Sequence, residues 1–175
     1  MRAALDACVL FPPVMRGMLL GAAAAGGFAP VWSARILEEW ARATRRLPEG
    51  AEAAARREIV GLGAAFPDAE VAVPEALVAG LSLPDPDDRH VLGAAIAGGA
   101  ASLVTLNRAD FPTRTLARHG ILLREPDGIL VELHGSGIDL LAVAEAVRGG
   151  REAGLRAMLK RAGLPRLGKA LAAGG

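Results

Sequence analysis

Short apolar runs and longer periodic segments alternate along the first 125 residues of the chain. The short runs predict buried strands, at residues 3–5, 70–73, 102–106 and 121–123. The longer segments have the 3.6-residue spacing of helices, at 13–25, 34–47, 51–65 and 88–98, with a helical turn at 114–119. Strands that alternate with helices imply a parallel sheet covered on both faces. We therefore predict a three-layer α/β/α fold with a central parallel sheet.

The pattern changes after residue 125, where only helical spacing remains. It predicts helices at 128–133, 138–147 and 152–161, and a short helical tail after Pro165. We see no internal repeat and no low-complexity linker between the two parts. The sequence thus predicts an α/β domain over residues 1–125 and a helical C-terminal extension over residues 126–175.

Composition narrows the class of protein. The formal charge is +1, so any affinity for nucleic acid must come from local basic patches. Cys8 is the single cysteine, which excludes an internal disulfide and fits a reducing cytosol. The longest apolar run, at 18–31, is too short and too rich in Gly and Ala to span a bilayer. With no signal peptide evident, we expect a cytoplasmic protein.

Polar oxygen-bearing residues follow two of the predicted strands. Asp6 ends the first strand, and Asn107 and Asp110 follow the strand at 102–106. Ligands of open parallel sheets bind beyond the carboxyl ends of the strands, where these residues lie. The alternative is that each serves only turn chemistry, for which Asn and Asp are common.

Helical geometry separates two neighbouring glutamates. Glu38 falls almost opposite the apolar face of its helix, four residues before Arg42, which predicts a solvated ion pair. Glu39 falls at the rim of that face, where a carboxylate can reach a cleft. Glu39 is therefore the better candidate for a functional group.

Three aspartates open the predicted helix at 88–98. Asp85 before Pro86 is typical of an N-cap, and Asp87 suits a first helical turn because of the helix dipole. Asp88 falls near the centre of the inward apolar face. A carboxylate there is costly unless it is paired, used as a cap or bound to a metal. Capping thus explains Asp85 and Asp87, and leaves Asp88 open to a functional role.

Four segments can therefore deliver acidic or amide oxygens to one edge of the sheet. Clustered carboxylates repel one another, and a divalent cation relieves that repulsion. Oxygen ligands without Cys or His suit Mg²⁺ or Mn²⁺. Such ions activate water and stabilise in-line displacement at phosphorus, so the chemistry indicated is phosphodiester hydrolysis.

Three segments carry a family resemblance, and they occur in the order "ALDACVLF", "SARILEEW" and "DPDDRHVLGAAIAGGAASLVTLNRADFP". Over about residues 3–125 the chain resembles the PIN-domain ribonucleases, which include toxins of bacterial toxin–antitoxin pairs. It most resembles the branch that has a helical C-terminal extension. The resemblance implies an endoribonuclease dependent on Mg²⁺ or Mn²⁺.

The resemblance also implies roles for individual residues. The first three family acids match Asp6, Glu39 and Asp88, which are expected to bind metal and to be catalytic. The fourth position lies in the loop that holds Asn107 and then Asp110, and many relatives have an aspartate where Asn107 stands. Either residue can fill that position. Both are therefore candidates for the metal, Asp110 also as a catalytic residue and Asn107 also as a substrate contact.

The same resemblance implies two partners, an RNA substrate and a cognate antitoxin protein. We expect no membrane partner, since no apolar run can span a bilayer, and a homodimer is one assembly to consider. Arg89, beside the acids, is a candidate substrate contact. One alternative is a catalytically inactive PIN-like interaction module, which the asparagine at 107 keeps open. An aspartate-nucleophile phosphatase is disfavoured, since such enzymes usually carry Asp-x-Asp at the first strand and Asp6 is followed by Ala7-Cys8.

Overall fold

A computed structural model describes residues 1–150 and 154–173. Within them a four-stranded sheet has the order β2-β1-β3-β4. Its strands are β1 (Arg2–Leu5), β2 (Ala29–Val31), β3 (Ser102–Val104) and β4 (Leu122–Arg124). Strand β1 pairs in parallel with both β2 and β3, and Leu5 lies opposite Val104. Because β1 and β3 end side by side, Asp6 and Thr105 leave the sheet at the same edge.

The described residues also form eleven α-helices, which are numbered here in chain order. They are α1 (Ala7–Leu10), α2 (Pro13–Ala24), α3 (Ala34–Ala43), α4 (Ala51–Ala65), α5 (Glu75–Gly80), α6 (Arg89–Ala97), α7 (Thr113–Ala117), α8 (Pro126–Gly135), α9 (Leu140–Arg148), α10 (Leu155–Arg161) and α11 (Pro165–Ala173). Short 3-10 helices precede or follow some of them, at Thr44–Arg46, Pro86–Asp88 and Arg108–Asp110.

The chain forms two compact units. The first comprises residues 1–11 and 29–123, and holds the sheet. Its core is made of side chains that are almost fully excluded from solvent, including Leu5, Trp32, Trp40 and Leu103. Trp32 meets Phe66 edge to face, with ring centroids 6.0 Å apart. This rigid core fixes the strand ends from which the candidate site residues emerge.

The second unit comprises residues 12–28 and the chain from 124 onward. Helix α2 packs against α8 and α9, and Gly17 and Gly21 lie directly under Val147 and Val143 of α9. The missing side chains of the two glycines let the helices approach closely. Asp127 is buried and accepts the backbone N–H groups of Arg166 and Leu167 at 2.9 Å, which caps the first turn of α11.

The predicted α/β fold with a central parallel sheet and a helical C-terminal region is confirmed. The predicted strand at 70–73 is wrong, because there only Glu70 pairs, in a single parallel bridge with Trp32. Strand β2 was not predicted, since it contains Pro30. A proline is tolerated there because β2 is an edge strand of the sheet.

The division into domains at residue 125 stays a prediction. The first contact-defined unit ends close to that residue, but helix α2, predicted as part of the N-terminal domain, belongs to the second unit. Part of the helix predicted at 152–161 lies outside the described residues, and α10 begins at Leu155. No helix in the described part of the chain is both long and apolar enough to cross a membrane.

Candidate metal centre

Asp6 stands at the carboxyl end of β1, where the sheet fixes its backbone. Its N–H donates to the carbonyl of Val104 at 3.1 Å, which continues the pairing with β3. The residue is 7% exposed, and one carboxylate oxygen accepts hydrogen bonds from the hydroxyl of Thr105 at 2.6 Å and from the thiol of Cys8 at 3.1 Å. A buried carboxylate is stable only with such donors. Asp6 is therefore held in one position at the sheet edge.

Cys8 and Thr105 are parts of this site that sequence reasoning missed. Burial, and then the charge of Asp6, raise the pKa of the Cys8 thiol to about 12. The thiol therefore keeps its proton at neutral pH and can donate it to Asp6, while its sulfur accepts the N–H of Leu106 at 3.3 Å. Both residues stand next to predicted strands in the sequence, but the structure was needed to show that these two strands pair.

Three carboxylates converge beside this edge. Asp85, Asp88 and Asp110 each offer one oxygen, and the three atoms lie within 4.8 Å of one another. Asp85 is also the N-cap that the sequence predicts, since its oxygen accepts the N–H of Asp87 at 2.9 Å. Asp88 makes no side-chain cap hydrogen bond, so helix capping does not account for its position. Local backbone hydrogen bonding therefore explains the position of Asp85 but not that of Asp88.

The electrostatics of Asp88 reflect this crowding. Burial, followed by the charges of Asp6, Asp110 and Asp85, raise the pKa of Asp88 from 3.8 to about 6. The charge of Asp6 therefore acts on Asp88. A positive charge among these carboxylates would relieve the repulsion.

Asn107 lies between two of these carboxylates. Its Nδ2 donates to Asp88 at 3.3 Å and, in a shorter contact, to Asp110. Its backbone N–H donates to the Thr105 hydroxyl at 2.9 Å, which ties the loop to the end of β3. In this orientation the amide supplies donors to the acids. Rotation of the amide by 180° would present Oδ1, an oxygen that suits a hard cation.

Glu39 is held by two basic side chains rather than by the acids. Its Oε1 is 2.9 Å from Nε2 of His90 and 3.3 Å from Nε of Arg35. Burial acts to raise the pKa of Glu39, but these hydrogen bonds outweigh it, and the pKa lies below its ordinary value. The carboxylate is therefore ionised and fixed near the middle of α3, and its contact with His90 joins α3 to the helix that follows Asp88.

Glu38 is oriented as the helical geometry predicts. It forms the expected ion pair with Arg42 at 2.6 Å, and a second with Arg56 at 2.8 Å. Arg45 and Arg56 also pair with Glu52. Three of the arginines on this surface are thus engaged by glutamates, as in an ordinary charged helical surface.

The structure places Arg89 at the first position of α6, directly after Asp88. Its Nε is buried and has no hydrogen-bond partner within the described residues. None of the hydrogen bonds described above joins Arg89 to an acidic residue. Its role as a substrate contact stays a prediction.

The residues present fit a divalent cation of the Mg²⁺ or Mn²⁺ kind. The donors gathered at the sheet edge are carboxylate oxygens, with one amide side chain, and hard cations prefer such oxygens. Of the residues predicted from the sequence, Asp88, Asn107 and Asp110 lie in contact with one another. The negative charge of Asp6 acts on Asp88. Glu39 is not part of this group, and it pairs instead with His90, two residues after Asp88. Asp85 joins the group in addition to its role as a cap.

The comparison with protein families gives one match. A family described as "PIN domain" matches residues 2–109, which contain all the candidate residues except Asp110. Comparisons with curated proteins and with solved structures give no match. The matched range includes β1, α3, α6 and β3, the elements that position the candidate metal centre.

Proposed function

We propose a function for this chain from one premise: it belongs to the PIN-domain family. Proteins of this family are typically metal-dependent nucleases. We propose that the chain is an endoribonuclease that hydrolyses RNA phosphodiester bonds with Mg²⁺ or Mn²⁺. The observation that carries the proposal is the convergence of Asp85, Asp88 and Asp110 in a region where Asp6 adds a further negative charge.

The proposed roles divide between metal binding and positioning. Asp6, Asp88 and Asp110 would hold the cation, with Asn107 and Glu39 completing the set of five candidates. A bound divalent cation would lower the pKa of water and stabilise negative charge at phosphorus. Thr105 and Cys8 donate to Asp6 and hold its carboxylate in place. Arg35 and His90 do the same for Glu39.

The first prediction is that Asp88→Asn removes nuclease activity. The amide keeps the size of the side chain but loses the charge that binds the cation. Changes around metal ligands cost roughly 10–100-fold, so loss of a ligand charge should cost about a hundredfold or more. The measurement is cleavage of a mixed RNA substrate by the purified protein with Mn²⁺, at equal fold content by circular dichroism.

The matched controls are two acids that lie beside candidates but outside the cluster. Asp87→Asn changes the exposed neighbour of Asp88, and Glu38→Gln changes the solvent-facing neighbour of Glu39. Both should cleave RNA like the unchanged protein, whereas Glu39→Gln should not. Wild-type activity in Asp88→Asn would contradict the assignment. Inactivity of the unchanged protein with either metal would favour the alternative of an interaction module.

The second prediction concerns a cellular role as the toxin of a toxin–antitoxin pair, acting on RNA in the cytoplasm. An enzyme that cuts RNA is harmful unless an inhibitor controls it. Expression alone should therefore slow growth, and co-expression of an adjacent small gene for a cognate antitoxin should restore it. The measurement is growth with the unchanged protein, with Asp6→Ala, and with the pair. Equal growth in all three, at equal protein levels, would leave a nuclease without a toxin role.

A homodimer is one assembly to consider for this proposed enzyme. Size-exclusion chromatography with light scattering, over a range of protein concentrations, would measure the mass of the assembly.

A further inference from the structure

A cleft of about 670 Å³ opens in the first unit, beside the residues that hold Glu39. It is bounded by the start of α3, by the extended segment at 70–73, by one side of α5 and by His90 of α6. Binding sites for small molecules commonly have 300–1,000 Å³. The cleft is therefore large enough for one aromatic ring system with its sugar.

The walls of the cleft are mainly aliphatic. Val71 and Val73 form one side, and Val78 and Ala79 of α5 form another. Flat aliphatic surfaces of this kind accept the faces of a planar ring, which loses little hydration when it is covered. The walls thus favour a flat, uncharged group.

His90 gives an independent indication of a ligand. The residue lines the cleft and is 4% exposed, and its Nε2 lies 2.9 Å from a carboxylate oxygen of Glu39. Its Nδ1 is buried and has no hydrogen-bond partner among the described residues. An unpaired buried polar atom costs free energy, so such atoms are rare unless a ligand or water pairs with them.

The cleft adjoins the candidate metal centre through shared side chains. Arg35 lies on its wall, bonds to Glu39, and reaches toward the carbonyl of Asp87 at 3.5 Å. The side chain of Arg35 is 54% exposed, so the part not bound to Glu39 is accessible to a phosphate at the mouth of the cleft. A nucleotide whose phosphate lies at the candidate metal centre would have its base within reach of the cleft.

The charges around the cleft select the kind of group that enters. Glu70 and Glu75 also line it, so carboxylates outnumber the single arginine. This balance disfavours a second phosphate and favours a neutral group rich in N–H donors. Among RNA bases, guanine offers two adjacent donors on its Watson–Crick edge, a match for a carboxylate.

We propose that this cleft binds a guanine base of RNA next to the bond that is cleaved, and so sets the cleavage sequence. The proposal rests on the proposed ribonuclease function for the identity of the ligand. RNA bases that are recognised individually are unstacked and bonded on their Watson–Crick edges, as this site requires.

The first experiment measures binding without metal and without cleavage. Guanosine and uridine are titrated into the isotope-labelled protein in EDTA, followed by amide chemical shifts. We expect saturable shifts at residues 70–79 and at His90, with guanosine binding about fivefold or more tighter than uridine. Nucleosides carry no phosphate, so the result does not depend on the acids or on catalysis.

Matched variants connect the binding to the cleft. Ala79→Trp and Ala72→Trp fill it from two sides at exposed positions, and should abolish the guanosine shifts. Val60→Trp adds the same side chain at an exposed position on α4, outside the cleft, and should bind guanosine like the unchanged protein. Absence of binding, equal binding of uridine, or binding that survives both cleft variants would overturn the proposal.

The second experiment reads the cleavage sequence with Mn²⁺ by mapping cut sites in a mixed RNA. We expect guanine at one fixed position beside the cut, and loss of that preference in the two cleft variants. Guanosine binding in a protein that cuts no RNA would refute the proposed function while supporting the cleft assignment. Cleavage without any base preference would support the proposed function and refute the cleft assignment.

Discussion

Asp88 is subject to opposite demands from folding and from the proposed chemistry. Its carboxylate lies with those of Asp85 and Asp110, and its pKa is raised to about 6 by burial and by the neighbouring acids. In the protein without metal, ionisation of Asp88 therefore opposes folding. The same charge is what a cation would require. A carboxylate that opposes folding in this way is expected at a functional site, where strongly shifted pKa values are concentrated.

The third prediction is a pH dependence of stability in the metal-free protein. Because the pKa of Asp88 is about 6 folded and 3.8 in a model peptide, the folded state binds more protons between these values. The free energy of unfolding should therefore fall as pH rises from about 4 through about 6. Urea unfolding in EDTA between pH 4 and pH 8 measures it.

The comparison that isolates this effect is with Asp88→Asn. The variant cannot ionise at residue 88, so it should be more stable than the unchanged protein above pH 6, with the difference shrinking toward pH 4. Arginine partners lower the pKa values of Glu38 and Glu52 to about 2, so both proteins lose stability at low pH as these glutamates are protonated. Subtracting the free energy of unfolding of one protein from that of the other removes this shared loss. A difference that does not vary with pH would contradict the raised pKa.

At the residue scale, the sequence predicts which acids leave the ends of strands but not what they contact. Asp6 and Asp110 follow strands in the sequence, so their common edge follows from the rules of parallel sheets. The hydroxyl of Thr105 donates to Asp6 across 99 residues of chain, and it lies 3.3 Å from the thiol of Cys8, 97 residues away in the sequence. Such pairs depend on the register of β1 and β3, which composition and spacing do not reveal.

At the element scale, close packing of α2 against α9 depends on glycine. A Cβ added at Gly21 would overlap the side chain of Val143, whereas one added at Gly61 of α4 meets nothing within 4 Å. Both glycines lie inside helices, where alanine is otherwise preferred. The two positions therefore form a matched pair that separates packing from helix propensity.

The fourth prediction uses this pair. Gly21→Ala should lower the free energy of unfolding by about 1–2 kcal/mol, because overpacking outweighs the gain in helix propensity. Gly61→Ala should raise it by about 0.5–1 kcal/mol, since only the propensity changes. Chemical denaturation of both variants at pH 7 is the measurement. A stabilised Gly21→Ala would show that Val143 moves aside freely, against the close approach described.

Elements with full periodicity are predictable from this sequence, and short ones are not. Helix α4 is predicted with its observed bounds, because fifteen residues carry a clear pattern. The segment at 70–73 has the composition of a strand, but it meets only one partner, at Trp32, and most of it lines the cleft instead. Short helices such as α1 and α5 give too few residues for a periodic signal.

At the scale of the whole molecule, the fifth prediction is that metal binding stabilises the fold. A cation that binds only the folded state raises stability with its concentration, by about 2.7 kcal/mol at a hundred times its dissociation constant. The melting temperature at pH 7 should therefore rise with Mn²⁺ from micromolar to millimolar concentrations. The same titration with Ca²⁺ and Mg²⁺ would rank the cations.

The control for this prediction is Asp88→Asn, in which the rise should be small or absent at every Mn²⁺ concentration. Asp87→Asn, changed at an exposed neighbour, should respond like the unchanged protein. A melting temperature that is insensitive to millimolar Mn²⁺ in the folded, unchanged protein would count against a metal site at these acids.

The fold class and much of the acidic cluster could be predicted from the sequence, because both depend on the order of strands and helices along the chain. The alternation of strands and helices fixes a parallel sheet, and the sheet fixes where Asp6, Asn107 and Asp110 emerge. The pairing of Glu39 with His90 and the place of Asp85 in the cluster were not predicted. They depend on side-chain directions at the entry to α6, where a 3-10 turn replaces the first turn expected of the helix.

The position of β1 beside β3 has a consequence for synthesis of the protein on the ribosome. Strand β1 is made first, but its neighbour β3 follows about a hundred residues later, so Asp6 meets Asp88 and Asp110 only after most of the chain has emerged. Pairing between such distant segments is slow to form. A nascent chain therefore carries its early acids without an assembled centre, and the candidate metal centre forms only when translation of this region is complete.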